Sequence, residues 1–328
     1  MIVITGGAGF IGSNLTAALE ARGEANLVVC DRLGHGDKWR NLAKRELAQI
    51  VPPDRLLEFL DAHAGEIGAI FHMGAVSATT ETDADAIIAA NFTLSLRLWD
   101  WCARQAVRFF YASSAATYGA GEAGFADDGS PAALARLRPL NPYGWSKHLF
   151  DRRVARLAER RKALPPQWVG CKFFNVYGPN EYHKGTMRSV VAQLYPLVKS
   201  GAPARLFRSY RADVPDGGQR RDFVYVRDCV EMLLWLYDHP EVSGLFNLGS
   251  GKARSFAELA SAISRAAGLE PSIEYIEMPA PLRDMYQYFT EAPLAKLRQA
   301  GYAAPTTSIE DGVADYVRTF LATNDPYR

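Results

Sequence analysis

The stretch Ile2-Val-Ile-Thr-Gly6-Gly7-Ala-Gly9-Phe-Ile-Gly12-Ser13 decides the fold. It reads as a short apolar strand, a glycine-dense turn and the start of a helix. Gly6, Gly9 and Gly12 form Gly-x-x-Gly-x-x-Gly, and Gly7 also completes Gly-x-Gly-x-x-Gly. Such a loop allows a tight turn, close approach of backbone to a pyrophosphate, and intimate packing of helix on strand. The helix that follows turns free N–H groups and a positive dipole end toward the phosphates. Asp31 ends the second apolar run, where an acid can meet a ribose hydroxyl.

Working outward, Ile2–Ile4, Leu27–Cys30, Ala69–His72 and Arg108–Ala112 are apolar runs, as strands buried on both faces should be. Between them lie helical patterns such as Asn91–Gln105, with Leu94, Leu98 and Trp101 on one stripe. Gly170–Tyr177 continues the strand series, and Phe223–Val226 and Leu245–Leu248 add short strands. Alternation of strand and helix predicts an α/β fold with a doubly wound parallel (Rossmann) sheet. Ser255 and Glu258 form a capping box opening a helix that Gly268 stops. A last amphipathic helix carries Ile309, Val313, Tyr316, Val317 and Phe320. The expected division is a dinucleotide-binding domain over 1–172 plus about 222–248. A smaller, interleaved α/β substrate lobe takes about 173–221 and 249–328.

The 328 residues are 48% hydrophobic and 22% charged, which suits a globular chain with a sizeable core. A formal net charge of +1 gives no global field to recruit nucleic acid, so none is expected as a partner. Cys30, Cys102, Cys171 and Cys229 are scattered, without metal-ligand spacing, and read as buried reduced thiols. His72 and His183 stand apart from other ligand types, so no metal is expected. The glycine motif follows Met1 directly, without a signal-peptide pattern, and no apolar run reaches the ~18 residues of a spanning helix. The expectation is a cytoplasmic protein without membrane partners.

The cofactor reading has two sides. Asp31 points to a ribose 2′-OH and NAD, whereas Arg32 and Lys38 suit a 2′-phosphate and NADP. The expectation taken is NADP, tightly bound and recycled, with NAD as the alternative. Gly74, Ala75 and Ser77 follow the strand ending at His72 and emerge at the carboxyl edge of the sheet, where ligands bind in such folds.

Tyr143 and Lys147 lie four residues apart, one helical turn, after the helix-entry pair Asn141-Pro142. A phenol beside an ammonium is a proton-transfer unit, because the positive charge favours the phenolate. Ser113 and Ser114 follow another strand and so reach the same edge.

With glycine loop, serines and Tyr-x-x-x-Lys in this order, the chain resembles the extended short-chain dehydrogenase/reductase superfamily over nearly its whole length. The resemblance implies that Ser114 hydrogen-bonds the reacting oxygen and that Tyr143 acts as acid or base. Lys147 would bind the nicotinamide ribose and lower the Tyr143 pKa. It also places Phe10, Ile11, Met73, Asn91 and Val176 at the cofactor. A narrower resemblance, to the ADP-L-glycero-D-manno-heptose 6-epimerase family, rests on several stretches. These are Ala112-Ser-Ser-Ala-Ala-Thr-Tyr-Gly119, Phe174-Asn-Val-Tyr-Gly-Pro179, His183-Lys-Gly-Thr-Met187, Arg221-Asp-Phe-Val-Tyr-Val226, Phe246-Asn-Leu-Gly-Ser-Gly251 and Tyr286-Gln-Tyr-Phe-Thr290.

That family resemblance implies an isomerase acting on an ADP-sugar, feeding lipopolysaccharide inner-core synthesis. Epimerisation at a carbinol without net redox removes hydride, forms a ketone and returns hydride to the other face. Tyr143 and Lys184 are expected as the two proton-handling groups, with Lys184 delivered to the substrate side. Asn175, Thr186, Phe207, Arg221 and Tyr286 are implied near the substrate. A guanidinium fork suits the diphosphate, and Arg220 competes with Arg221 for that task. The family also implies a homo-oligomer, often a pentamer. Two alternatives remain at this point: a 4-epimerase or dehydratase of the superfamily, or a non-catalytic nicotinamide sensor. The absence of an acid in Ala115-Ala-Thr-Tyr118 argues against dehydration.

Overall fold

The computed structural model describes residues 1–283 and 286–328. Its strands, in chain order, are β1 (Ile2–Thr5), β2 (Leu27–Cys30), β3 (Gln49–Val51), β4 (Ala69–His72), β5 (Arg108–Ser114) and β6 (Trp168–Phe173). Then come β7 (Asn175–Tyr177), β8 (Ala204–Phe207), β9 (Arg220–Tyr225), β10 (Gly244–Leu248), β11 (Ala253–Ser255) and β12 (Ile273–Ile276). A seven-stranded sheet has the order β10-β6-β5-β4-β1-β2-β3. Every neighbouring pair in it is parallel. Helices cover its faces, which is why β1, β2 and β4 are buried throughout.

Two small sheets, β11-β9-β7 and β12-β8, are separate from the large one. Their core is separate: Tyr177, Leu194, Tyr225, Leu259, Ile263 and Val313 belong to a second apolar cluster. The capping box at Ser255 is present and opens the helix Phe256–Ala266.

Several elements differ from the sequence reading, each for a physical reason. Gly170–Tyr177 is two strands, not one. The chain turns at Phe174, whose carbonyl accepts the Val176 N–H at 2.9 Å. β6 therefore stays in the large sheet and β7 joins a small one. β9 also belongs to that small sheet, so residues 222–225 lie outside the seven strands, and the return to them begins with the helix Val226–Asp238. β5 runs on through Ser113 and Ser114. The helix expected from Asn91 is regular only from Leu94, after a wider turn over Ala89–Thr93. β3 is an edge strand of three residues and carries no pattern to read.

The glycine turn is fixed by contact. Gly6 has a φ of +66°, which a residue with a side chain rarely adopts. A Cβ at Gly12 would stand 2.2 Å from the Gly6 carbonyl oxygen. Gly12→Ala should therefore push helix Phe10–Ala21 off the loop, costing about 1–3 kcal/mol, the usual range for overpacking. Calorimetry should show lost dinucleotide binding with a lowered Tm. Unchanged affinity would mean the close approach is not used.

Candidate active site

The strand ends of the large sheet open into a cavity of about 300 Å³. Gly6, Gly9, Phe10, Ile11 and Gly12 form one wall, with Asp31 and Lys38 at its end. Met73, Gly74, Ala75 and Ser77 form another. Ser114, Tyr143, Lys147, Val176 and Lys184 complete it. A second cavity, of about 900 Å³, shares Ser114, Tyr143, Phe173 and Phe174 with the first. Asn175, Arg221 and Tyr286 line this second space. The shared wall is where a group held in one cavity meets a group held in the other.

Local hydrogen bonds hold these parts. The Ala8 N–H donates to Asp31 Oδ2 at 2.9 Å, so the acid at the end of β2 pins the glycine loop. Lys38 Nζ donates to Asp31 Oδ1 at 2.6 Å and sits at the cavity end. Thr5 Oγ1 and His72 Nδ1 are 2.6 Å apart, and His72 Nε2 is 2.9 Å from Ser95 Oγ. Burial and then the Lys147 charge lower His72 to about 3, so it is a neutral tie between strands.

The helix Pro142–Glu159 begins with an Asn141 cap: its side chain accepts the Gly144 N–H at 2.8 Å. That places Tyr143 in the first turn, at the cavity wall, and Lys147 one turn deeper. Burial lowers Lys147 from 10.5 to about 8, with Asp151 pulling it back up. The expectation that Tyr143 is lowered is corrected by the structure. Burial raises the phenol, and the Ser114 hydroxyl beside it pulls the other way. The Asp151 charge on the same helix raises it further.

Lys184 lies in a short helical segment, Tyr182–Met187, kinked at Gly185 with a φ of +56°. Its Nζ stands 5.5 Å from the centre of the Phe10 ring. Burial lowers its pKa, opposed by Glu181. It lines the cavity of the glycine loop together with Tyr143, whose wall that cavity shares with the larger one. The cause is the packing of its segment against Asp37–Leu42, where Asn41 Nδ2 and His183 Nδ1 are 3.2 Å apart.

Other expected residues fall elsewhere. Arg32 points outward and pairs with Asp54 at 2.6 Å, both side chains 74% exposed, a pair worth little to stability. Asn91 is buried, and its carboxamide is spent. It accepts the Val76 N–H at 2.8 Å, and it donates to the Val76 carbonyl at 2.9 Å and to Ser146 Oγ at 3.0 Å. It therefore shapes the Gly74–Ser77 loop instead of lining the cavity. Thr186 lines neither cavity, and Phe207 packs edge-on against Tyr286 with centroids 6.2 Å apart.

Of the two arginines, Arg220 is exposed and donates to the Ala253 carbonyl. Arg221 is 7% exposed, and its guanidinium lies 5.2 Å from the Tyr286 ring. Sequence reasoning missed His183, Thr79 and Gln287 as cavity residues. His183 and Gln287 were legible only as the neighbours of Lys184 and Tyr286, and Thr79 carried no signal. Among the described residues no group of three or more His, Cys, Asp or Glu could hold a metal ion, and no helix is long and apolar enough to cross a membrane.

These residues fit a dinucleotide. Positive φ at Gly6, and glycines at 9 and 12 where a Cβ would meet the Gly6 oxygen at 3.0 and 2.2 Å, leave room only for backbone beside a ligand. Lys147 gives the site its own titration. Side-chain NMR of lysine-labelled protein should show Lys147 losing its proton near pH 8, with Lys147→Met as the assignment control. Titration near 10.5 would mean that burial is not felt.

The geometry agrees with what the chain is similar to. A family model described as the NAD dependent epimerase/dehydratase family matches residues 2–249. An ADP-L-glycero-D-manno-heptose-6-epimerase of Nitratidesulfovibrio vulgaris is 48% identical over 330 residues, covering 100% of both chains. A crystal structure of the Helicobacter pylori ADP-L-glycero-D-manno-heptose-6-epimerase superposes with a TM-score of 0.80 at 28% identity, covering 98% of this chain and 96% of the other. A Thermus thermophilus UDP-glucose 4-epimerase in complex with NAD gives 0.73 at 25% identity, covering 95% and 96%. The chain belongs to the NAD dependent epimerase/dehydratase family and, within it, to the ADP-L-glycero-D-manno-heptose-6-epimerase group.

Proposed function

We propose that the protein converts ADP-D-glycero-D-manno-heptose to ADP-L-glycero-D-manno-heptose at carbon 6, through a transient ketone. The observation that carries this reading is that Tyr143 and Lys184, from separate elements, line one cavity with the glycine loop. A bound nicotinamide supplies the acceptance and return of hydride.

The chain's own residues do the rest. The glycine loop and the N-terminus of helix Phe10–Ala21 hold a pyrophosphate. Asp31 and Lys38 meet the far ribose. Lys38 beside the cavity favours NADP over NAD, while Arg32, tied to Asp54, adds nothing to that choice. Lys147 holds the nicotinamide ribose. Ser114 donates to the reacting oxygen. Tyr143 takes the carbinol proton as phenolate in one half-reaction, its raised pKa making that phenolate the stronger base, and gives the proton back in the return. Lys184, lowered by burial, serves the other epimer, whose oxygen occupies a different position.

Arg221 takes the diphosphate. Burial lowers its pKa, with Tyr286 pulling the other way, so an anion there would relieve a desolvated cation. Asn175 and Tyr286 bound the same space. The cell context that follows is cytoplasmic supply of heptose for lipopolysaccharide. We further propose a homo-oligomer, a pentamer on the family pattern, without nucleic-acid or membrane partners.

The test is to incubate the protein with each ADP-heptose epimer, without added cofactor, and follow interconversion by NMR. Conversion from both sides to one equilibrium mixture is expected. No conversion, with UDP-glucose epimerised in its place, would overturn the substrate assignment. Lys184→Met should slow one epimer at least ~100-fold while sparing oxidation of the other, the scale of a lost general acid or base. Equal, near-normal turnover of both would remove Lys184 from the chemistry.

A further inference from the structure

Tyr143, Lys147 and Asp151 are spaced four apart along one helix, so they share a face. The third has no place in the chemistry above, yet it is the most constrained. Asp151 and Lys172 form an ion pair at 2.7 Å with both side chains 0% exposed. Replacing a buried pair of this kind by apolar residues is often neutral or stabilising, so stability alone does not explain it.

The pair's connections lead to the active-site wall. Asp151 Oδ1 accepts from Tyr111 at 3.0 Å, and Oδ2 accepts from Ser113 at 2.7 Å. Both donors lie on β5, three residues and one residue before Ser114. Lys172 Nζ donates to Thr117 Oγ1 at 2.7 Å, and that hydroxyl donates to the Ser114 carbonyl at 2.7 Å. On β6, Lys172 is followed by Phe173 and Phe174, which line both cavities. One ion pair thus joins the helix of Tyr143 and Lys147 to the strand of Ser114 and to the strand leading to Asn175.

Its charge also reaches the site. Tyr143 and His148 on the same helix, Tyr111 on β5 and Cys171 on β6 all face Asp151, as does Tyr118 of the turn after Ser114. His148 is lowered to about 4, by burial first, and His72 on β4 to about 3, so neither carries charge at neutral pH. Asp151 is then the charge that Lys147 feels from the core.

We propose that Asp151, paired with Lys172, is a positioning residue for the Tyr143–Lys147 couple: it locks their helix to the Ser114 strand and supplies the core negative charge that keeps Lys147 an ammonium. The kinetic arm of its test rests on the ADP-heptose reading; the titration arm does not.

Asp151→Asn alone would leave Lys172 charged and unpaired and is expected to unfold the protein. The informative variants are therefore the double replacement Asp151→Leu with Lys172→Met, and Asp151→Glu, which keeps the carboxylate. In the folded double variant, lysine NMR should show Lys147 losing its proton at least ~1 pH unit lower than in the unmodified protein. The alkaline limb of kcat should move down with it, cutting kcat at least ~5-fold near pH 8 with little change in KM. Asp151→Glu should keep Lys147 near its original titration. A purely structural pair predicts the reverse order, with the well-packed neutral pair behaving like the unmodified protein. An unchanged Lys147 titration in the double variant, or a shift in Asp151→Glu as large as the double variant is expected to show, overturns the proposal. Should the unmodified protein fail on ADP-heptose, only the kinetic arm is lost.

Discussion

Parallel pairing sends seven strand ends to one edge of the sheet, and the site is built there. Parallel neighbours need long crossovers, so each strand end meets a loop and then a helix. The chain runs from β1 outward to β3, then returns to place β4 on the other side of β1. The crevice at this reversal is where ligands bind in such sheets. Its walls are glycines in contact: a Cβ on Gly6 would stand 2.5 Å from the Gly74 nitrogen. The two loops can approach this closely only without side chains. From that approach follow the cavity, the exposure of the loop backbone and the position of the helix N-terminus.

The parts of this that were legible in sequence share a cause. β1, β2 and β4 are apolar on both faces because helices cover both faces, so their runs are unbroken. The glycine loop, Asp31, Ser114, Tyr143 and Lys147 follow such runs or open helices, and local order alone carries them to the edge. What was not legible depends on distant partners. The turn at Phe174 carries no glycine or proline to announce it: the Phe174 N–H still donates to Leu248 of the large sheet at 3.1 Å, while its carbonyl already accepts from Val176. Arg32 and Lys38 are both basic, and only the fold shows that one turns to Asp54 and the other to Asp31. Asn91 looks like a ligand-binding amide until Val76 and Ser146 are seen to occupy it. Lys172 in an apolar strand reads as an intrusion, because Asp151 lies 21 residues away.

The placement of Lys184 shows how a loop residue acquires a fixed address. Glu181 is buried, and its carboxylate accepts from the Ser189 backbone and hydroxyl and from Tyr316. The Tyr182 hydroxyl donates to the Pro326 carbonyl at 2.8 Å, and the Arg328 N–H donates to Asn180 Oδ1 at 3.0 Å. The segment is thus tied just before Lys184 to parts of the chain distant in sequence, and closed after it by Ser189 on Glu181. A lysine on a free loop would keep its hydration and its ordinary pKa. This one is held against Phe10, where burial lowers its pKa.

Burial also gives the cavities their electrostatic character. Lys147, Lys184 and Arg221 are each lowered because the protein has removed water from a cation. The cost of that desolvation is met on folding, before any ligand arrives. An anion entering such a wall meets charges already stripped of screening, at an effective dielectric well below that of water. Phosphates bound beside these cations would raise their pKa values, and at Lys147, lowered to about 8, binding should draw protons onto the enzyme. The phenol of Tyr143, raised for the same reason, gains from each cation that stays charged beside it. Ligand binding, lysine protonation and the readiness of Tyr143 to ionise are therefore linked, and the link runs through desolvation of the cavity walls.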